Sequence, residues 1–136
     1  MGEGESPVTA SAALADTSLF IAQEQRGLLT SAVPATLAVS VITVGELRMG
    51  VLAAQDAHVR ATRLRTLSSV LALDPLPVDD GVADAWAELR IALRETGRKL
   101  AANDSWIAAT AIAHHLPIAT QDSDYDDVPG LTVIKL

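Results

Sequence analysis

Residues 103–116, NDSWIAATAIAHHL, are apolar on nearly every face after the first turn. A helix of that kind has no side to give to water, so it must lie between a sheet and neighbouring helices. Leu116-Pro117 ends it, and PIAT follows at once as a short buried strand. A buried helix feeding a buried strand is part of a layered α/β unit, and the rest of the chain supplies the other parts.

From Ala12 the chain reads as a short buried strand that stops at Asp16, with Ser18 placed to cap a helix beginning SLFIAQEQ. A β-branched alternation around Leu37 to Ser40 predicts the next strand. Helical periodicity follows, and Thr43 and Glu46 have the S/T-x-x-E spacing of a capping box, so a helix is expected from about Thr43. Glu46 then either closes that cap or faces a site. Residues 56–73 predict an amphipathic helix with Val59, Leu64, Leu67 and Leu71 on one side and arginines opposite, paired with the helix before it.

Asp74-Pro75 stops that helix, and PLPV predicts a short strand whose prolines suit an edge. Asp79 or Asp80 caps the helix VADAWAELRIALRETG, which Gly97 ends. After PIAT come an acidic turn, QDSDYDDVPG, and a last strand, LTVIKL. Strands alternating with helices predict a parallel α/β sandwich with its site at the carboxyl ends of the strands. The first eleven residues lack apolar periodicity and read as a disordered leader or cloning remnant, which leaves 12–136 as one domain.

Composition excludes several classes of function. With no cysteine there are no disulfides, zinc thiolates or thiol nucleophiles. No run is long and apolar enough to span a bilayer and no signal segment is present, so a soluble, cytoplasmic protein is expected. Aromatic residues make up 3% of the chain, so the core must be built from Ala, Val, Leu and Ile. The net charge of −7 opposes broad attraction to a phosphate backbone. Two basic runs, Arg60, Arg63 and Arg65, then Arg90, Arg94, Arg98 and Lys99, are candidates for a positive rim beside an acidic centre or for solvated helix faces.

The acidic residues carry the chemistry. Asp16 ends the first strand, Glu46 follows the second, Asp104 opens the buried helix and Asp122 follows PIAT. Converging carboxylates repel by about 4 kcal/mol per pair at roughly 4 Å and an effective dielectric near 20. Oxygen donors with few adjacent cations call for a hard divalent ion such as Mg2+ or Mn2+, which acidifies a bound water and neutralises a phosphodiester. No G-x-S-x-G elbow is present, and His58, His114 and His115 are poorly placed for a nucleophilic triad.

The ordered set ADTSLFIA, SVITVGELRMGVLAA and NDSWIAATAIAHHLPIATQDSDYDDVPGLTVI resembles the PIN-domain toxins called VapC, from about Ala12 to Leu136. The resemblance implies a three-layer α/β/α sandwich on a five-stranded parallel sheet. It also implies a Mg2+- or Mn2+-dependent endoribonuclease that acts as the toxin of a type II toxin–antitoxin pair. By motif, Asp16, Glu46, Asp104 and Asp122 would be the catalytic metal carboxylates, with Ser18 and Thr120 supporting. The loop after PIAT leaves Asp124 as an alternative fourth ligand, while Asp126 and Asp127 read as solvated. The resemblance further implies a homodimer, an RNA substrate and a VapB-type antitoxin bound across the helix hairpin at residues 43–73.

Two other readings are open to such a sequence. A phosphoryl-receiving regulator needs a pair of acids directly after the first strand and a lysine leading into a further helix, yet Asp16 stands alone and Lys135 is penultimate. A non-catalytic RNA- or protein-binding relative is opposed by the filling of all four acidic positions.

Overall fold

A computed structural model describes residues 12–27 and 34–136. The expected leader, residues 1–11, lies outside the described residues. The elements run β1 (Ala12–Ala15), α1 (Thr17–Arg26), β2 (Thr36–Ala38), α2 (Val41–Ala53), α3 (Ala57–Leu71), α4 (Asp80–Thr96), α5 (Ala102–Ala113), β3 (Ile118–Thr120), a 3-10 turn (Ser123–Tyr125) and β4 (Val133–Lys135).

The sheet is parallel, in the order β2-β1-β3-β4. Successive side chains of a strand point to opposite faces, and the core divides accordingly. Leu14 and Ile118 pack with Leu89, Leu93, Ile107 and Tyr125 on the α4–α5 side. Ala13, Ala15 and Ala119 pack with Leu19, Phe20 and Val70 on the α1–α3 side. Helices therefore cover both faces, which gives the α/β/α sandwich. The expected fifth strand reduces to one parallel bridge, Ser40 with Leu76, at the β2 edge. Leu76 exchanges hydrogen bonds with Val39 and Val41. Pro75 and Pro77 on either side lack the N–H groups that a longer ladder would need.

Helix starts differ from expectation in two places. Asp16, not Ser18, caps α1, because its carboxylate accepts from the Ser18 backbone N–H. Ser40, not Thr43, caps α2, accepting from Ile42 N at 3.0 Å. The earlier cap leaves Thr43 within the first turn and Glu46 in the second, so Glu46 closes no capping box. In α3 only Leu67 of the expected apolar stripe is buried; Val59, Leu64 and Leu71 remain exposed, and Val70, outside that stripe, is buried instead. Asp79 caps α4 through Val82 N, and Gly97 ends it at φ 70°, a left-handed conformation that glycine adopts without strain.

Candidate active site

Because all four strands are parallel, the segments that leave their carboxyl ends emerge along one edge of the sheet. Asp16 leaves β1 there and is 3% exposed. Oδ1 accepts from Ser18 N, and Oδ2 accepts from Thr120 Oγ1 and, at 3.1 Å, from Ser18 Oγ. Ser18 Oγ in turn accepts from Gln121 N at 3.1 Å, and Thr120 Oγ1 accepts from Asp122 N at 2.9 Å. One set of hydroxyls thus fixes both the Asp16 carboxylate and the start of the acidic loop. Ser18 and Thr120, both singled out in the sequence, meet at the Asp16 carboxylate.

Glu46 projects from α2 toward two residues the sequence reading did not assign. Thr17 Oγ1 donates to Glu46 Oε1 at 2.6 Å, and Asn103 Nδ2 donates to Oε2 at 3.2 Å. Thr17 also shares a 2.9 Å hydrogen bond with buried Thr43. Thr17 and Asn103 flank Asp16 and Asp104 within the D-T-S and N-D motifs, and that adjacency was the signal available for them. Asp104 lies in the first turn of α5, a helix without a side-chain cap, where a negative charge is favoured by the helix dipole. Tyr125, fully buried, donates to Asp104 Oδ1 at 3.0 Å.

The electrostatics register how these carboxylates crowd one another. Burial pushes the Asp16 carboxyl above its ordinary 3.8, the bonds from Thr120 and Ser18 pull it back in part, and the Asp122 charge pushes it up further. Burial also raises Asp104; the Tyr125 bond opposes this, and the charges of Asp16, Asp124 and Glu46 add to it. The Tyr125 phenol is pushed up by burial and then by Asp16 and Asp104, so it remains protonated and able to donate. Asp122 therefore acts on Asp16 while Asp124 acts on Asp104. Asp122 is partly buried and Asp124 exposed.

Among the described residues, the one Lys or Arg ion pair is Lys135 with Asp126 at 3.5 Å, which involves none of these carboxylates. Nor do three such side chains stand close enough among the described residues to chelate one ion directly. The donor set fits Mg2+ or Mn2+ nonetheless, since it is all oxygen and carries uncompensated negative charge. Mg2+ keeps several waters and is held by one or two carboxylates rather than by a full protein cage.

Several members of the two basic runs are engaged by the protein itself. Arg60 and Arg63 donate to the carbonyls of Ala54 and Gly50 at the end of α2, the latter at 2.7 Å, and so brace the α2–α3 hairpin. Arg98 donates to Asp124 O at 2.6 Å and Arg90 lies over Trp86, so the second run ties down the loop and an aromatic ring. His114 and His115 end α5, as expected.

The PIN-domain family profile matches residues 13–131. The chain is 46% identical to Ribonuclease VapC5 of Mycobacterium tuberculosis over 94% of this chain and 96% of that protein. It is 45% identical to Ribonuclease VapC4 of the same organism, over 91% and 96% of the two chains. Among solved structures it is similar to VapBC-5, a member of the VapBC toxin–antitoxin systems from M. tuberculosis. The TM-score is 0.81 at 46% identity, over 93% of this chain and 99% of that one. FitAcB from Neisseria gonorrhoeae matches with a TM-score of 0.74 at 31% identity, over 89% and 95% of the two chains. With the profile spanning almost the whole described chain and relatives matched end to end, this protein belongs to the PIN-domain family, within its VapC group.

Proposed function

We propose that this chain is a metal-dependent endoribonuclease, the toxin of a type II toxin–antitoxin pair, which hydrolyses RNA phosphodiester bonds. The observation that carries this is the gathering of Asp16, Glu46 and Asp104 with the Asp122 loop at one sheet edge, with no Lys or Arg ion pair to these carboxylates among the described residues. Relatives named as ribonucleases and solved toxin–antitoxin complexes support the reading.

Asp16, Glu46, Asp104 and Asp122 would hold Mg2+ or Mn2+, with Asp124 the alternative fourth ligand. When bound, such an ion supplies an acidified water and neutralises phosphate charge. The chain's own contribution is orientation. Ser18 and Thr120 hold both oxygens of Asp16, Thr17 and Asn103 hold both oxygens of Glu46, and Tyr125 holds one oxygen of Asp104. Carboxylates locked in this way need little reorganisation to receive a cation or to accept a proton from a bound water.

For partners, the reading includes a VapB-type antitoxin and a homodimer, acting in the cytoplasm. A groove of about 400 Å³ between α1 and α2 is lined by Ile21, Leu47, Met49 and Glu46. Met49 is 64% exposed and Leu52 78% exposed on the same helix. An antitoxin segment with an apolar anchor and a cation directed at Glu46 suits this groove. No described helix is long and apolar enough to cross a membrane.

The test is incubation of the purified protein with a mixed RNA pool, with and without Mg2+ or Mn2+, beside Asp16→Asn and Asp104→Asn. Cleavage is expected only with metal and only in the unsubstituted protein. Cleavage indifferent to metal and to both substitutions overturns the mechanism, and RNA binding without any cleavage favours the non-catalytic binding module.

A further inference from the structure

Both tryptophans of the chain stack on each other where α4 meets the first turns of α5. The rings of Trp86 in α4 and Trp106 in α5 lie 4.4 Å apart between centroids and 4° from parallel. Trp86 Nε1 donates to Ser105 Oγ at 3.0 Å, and Ser105 is buried directly after Asp104. Ser105 Oγ donates on to Ala102 O at 2.6 Å. The indole pair is thereby fixed to the same helix turn that carries Asn103 and Asp104. The guanidinium of Arg90 lies 5.8 Å from the centre of the Trp86 ring.

The exposure of this pair is unusual for the chain. Among its few aromatic residues, Tyr125 and Phe20 are buried, whereas both tryptophans are partly exposed. An indole carries one of the largest apolar surfaces a side chain has, and its ordinary place in a small domain is the core or an interface. The Trp86 N–H is already satisfied internally, so what the pair leaves partly exposed is apolar indole surface with a neighbouring cation.

We propose that Trp86, Trp106 and Arg90 form a stacking subsite for an unpaired base of the RNA strand whose phosphodiester lies at Asp104. The inference rests on the nuclease reading and adds to it the recognition of single-stranded RNA. Three observations carry it. Trp106 follows Asp104 by two residues in α5, and Ser105 between them accepts the Trp86 N–H. A chain of net charge −7 cannot draw its affinity from general phosphate attraction, whereas stacking on an aromatic face is independent of charge and of base identity. Arg90 adds a cation that suits both the ring and a nucleotide. A second copy of this chain fits less well, because beside the tryptophans only Ile91, exposed, and Ile112, partly exposed, add large apolar side chains to the surface of α4 and α5 among the described residues. A dimer core needs a broader apolar patch.

The experiment is a titration of tryptophan fluorescence with a single-stranded oligodeoxyadenylate, which a ribonuclease does not consume, against an abasic oligonucleotide of equal length. It is run in Mg2+ on the unsubstituted protein and on Trp106→Leu and Trp106→Phe, with RNA cleavage and light scattering measured in parallel. Saturable quenching by the base-bearing strand alone is expected. Trp106→Leu is expected to weaken binding by about five- to hundredfold, the contribution of one stacked base. KM for RNA should rise with it at little change in kcat, and Trp106→Phe should recover most of the loss. Equal quenching by the abasic strand, or unchanged KM in Trp106→Leu while the unsubstituted protein cleaves RNA, overturns the subsite and leaves the nuclease reading standing. A shift in oligomeric state without a change in oligonucleotide binding assigns the pair to a protein interface and also overturns it. Trp106-dependent binding by a protein that cleaves no RNA overturns the nuclease reading and keeps the base site. Should Trp106→Leu fail to fold, loss of binding in Trp106→Phe refutes the rescue and with it the proposal.

Discussion

Tyr125 reaches from the acidic turn after β3 to donate a 3.0 Å hydrogen bond to Asp104 Oδ1 at the start of α5. Its ring is fully buried among Leu89, Leu93 and Ile107, so core packing on one side of the sheet sets the position of a carboxylate on its edge. Phenylalanine fills the same space without the hydroxyl. Tyr125→Phe is therefore expected to fold and to lose only the bond, at a cost of about 1–2 kcal/mol. Mn2+ affinity measured by calorimetry should fall by roughly tenfold, the usual effect of removing a partner that orients a metal ligand. Unchanged affinity would confine the bond to stability.

The raised carboxyls of Asp16 and Asp104 make a prediction for metal-free protein. The folded state holds these protons more tightly than the unfolded chain, so the associated stability is complete below about pH 3.8 and declines as pH rises through the folded values. Divalent ion should reverse the decline. Asp104→Asn removes one of the repelling charges and should raise the metal-free melting temperature above pH 6 while abolishing cleavage. The gain is under about 1 kcal/mol, because water screens this partly exposed group. Thermal melts at several pH values, with and without Mg2+, check the sign. A melting temperature that rises with pH in EDTA and is insensitive to Asp104→Asn contradicts it.

The two acids of the loop have separable roles. Asp122 is partly buried, its backbone N–H is held by Thr120, and its charge acts on Asp16. Asp124 is exposed, and its carbonyl is held by Arg98. Asp122→Asn is expected to weaken Mn2+ binding about tenfold or more, with a smaller effect from Asp124→Asn. The reverse order would make Asp124 the fourth ligand.

Arg60 and Arg63 of α3 are braces. Removing Arg63 frees the Gly50 carbonyl it satisfies at 2.7 Å, and Arg63→Ala should cost about 1–2 kcal/mol in a denaturant titration. KM for RNA should not move. A raised KM at unchanged stability would return this residue to the positive rim.

The sandwich architecture was legible because it depends on local signals: apolar runs of strand length, the aspartate cap before α4, and the glycine after α4. The acids at strand ends were legible for the same reason, since a parallel sheet sends them all to one edge. The caps of α1 and α2 were misplaced by two or three residues because several hydroxyl and carboxylate side chains compete at each start. Tertiary partners decide among them: Ser18 is drawn to Thr120 and Gln121, and Thr43 to Thr17.

Sequence alone determined which residue types stand at the sheet edge and that oxygen donors with excess negative charge gather there. Only the tertiary structure decided what holds each of them. Thr17 and Asn103 reach Glu46 across 29 and 57 residues of chain, and Thr120 reaches Asp16 across 104. Pairings at such separations leave no periodic trace in a sequence, because they arise where packed helices and strands bring side chains together. The same holds for the single bridge at Leu76, the bracing arginines and the Trp86–Trp106 stack, whose geometry exists only once α4 lies against α5.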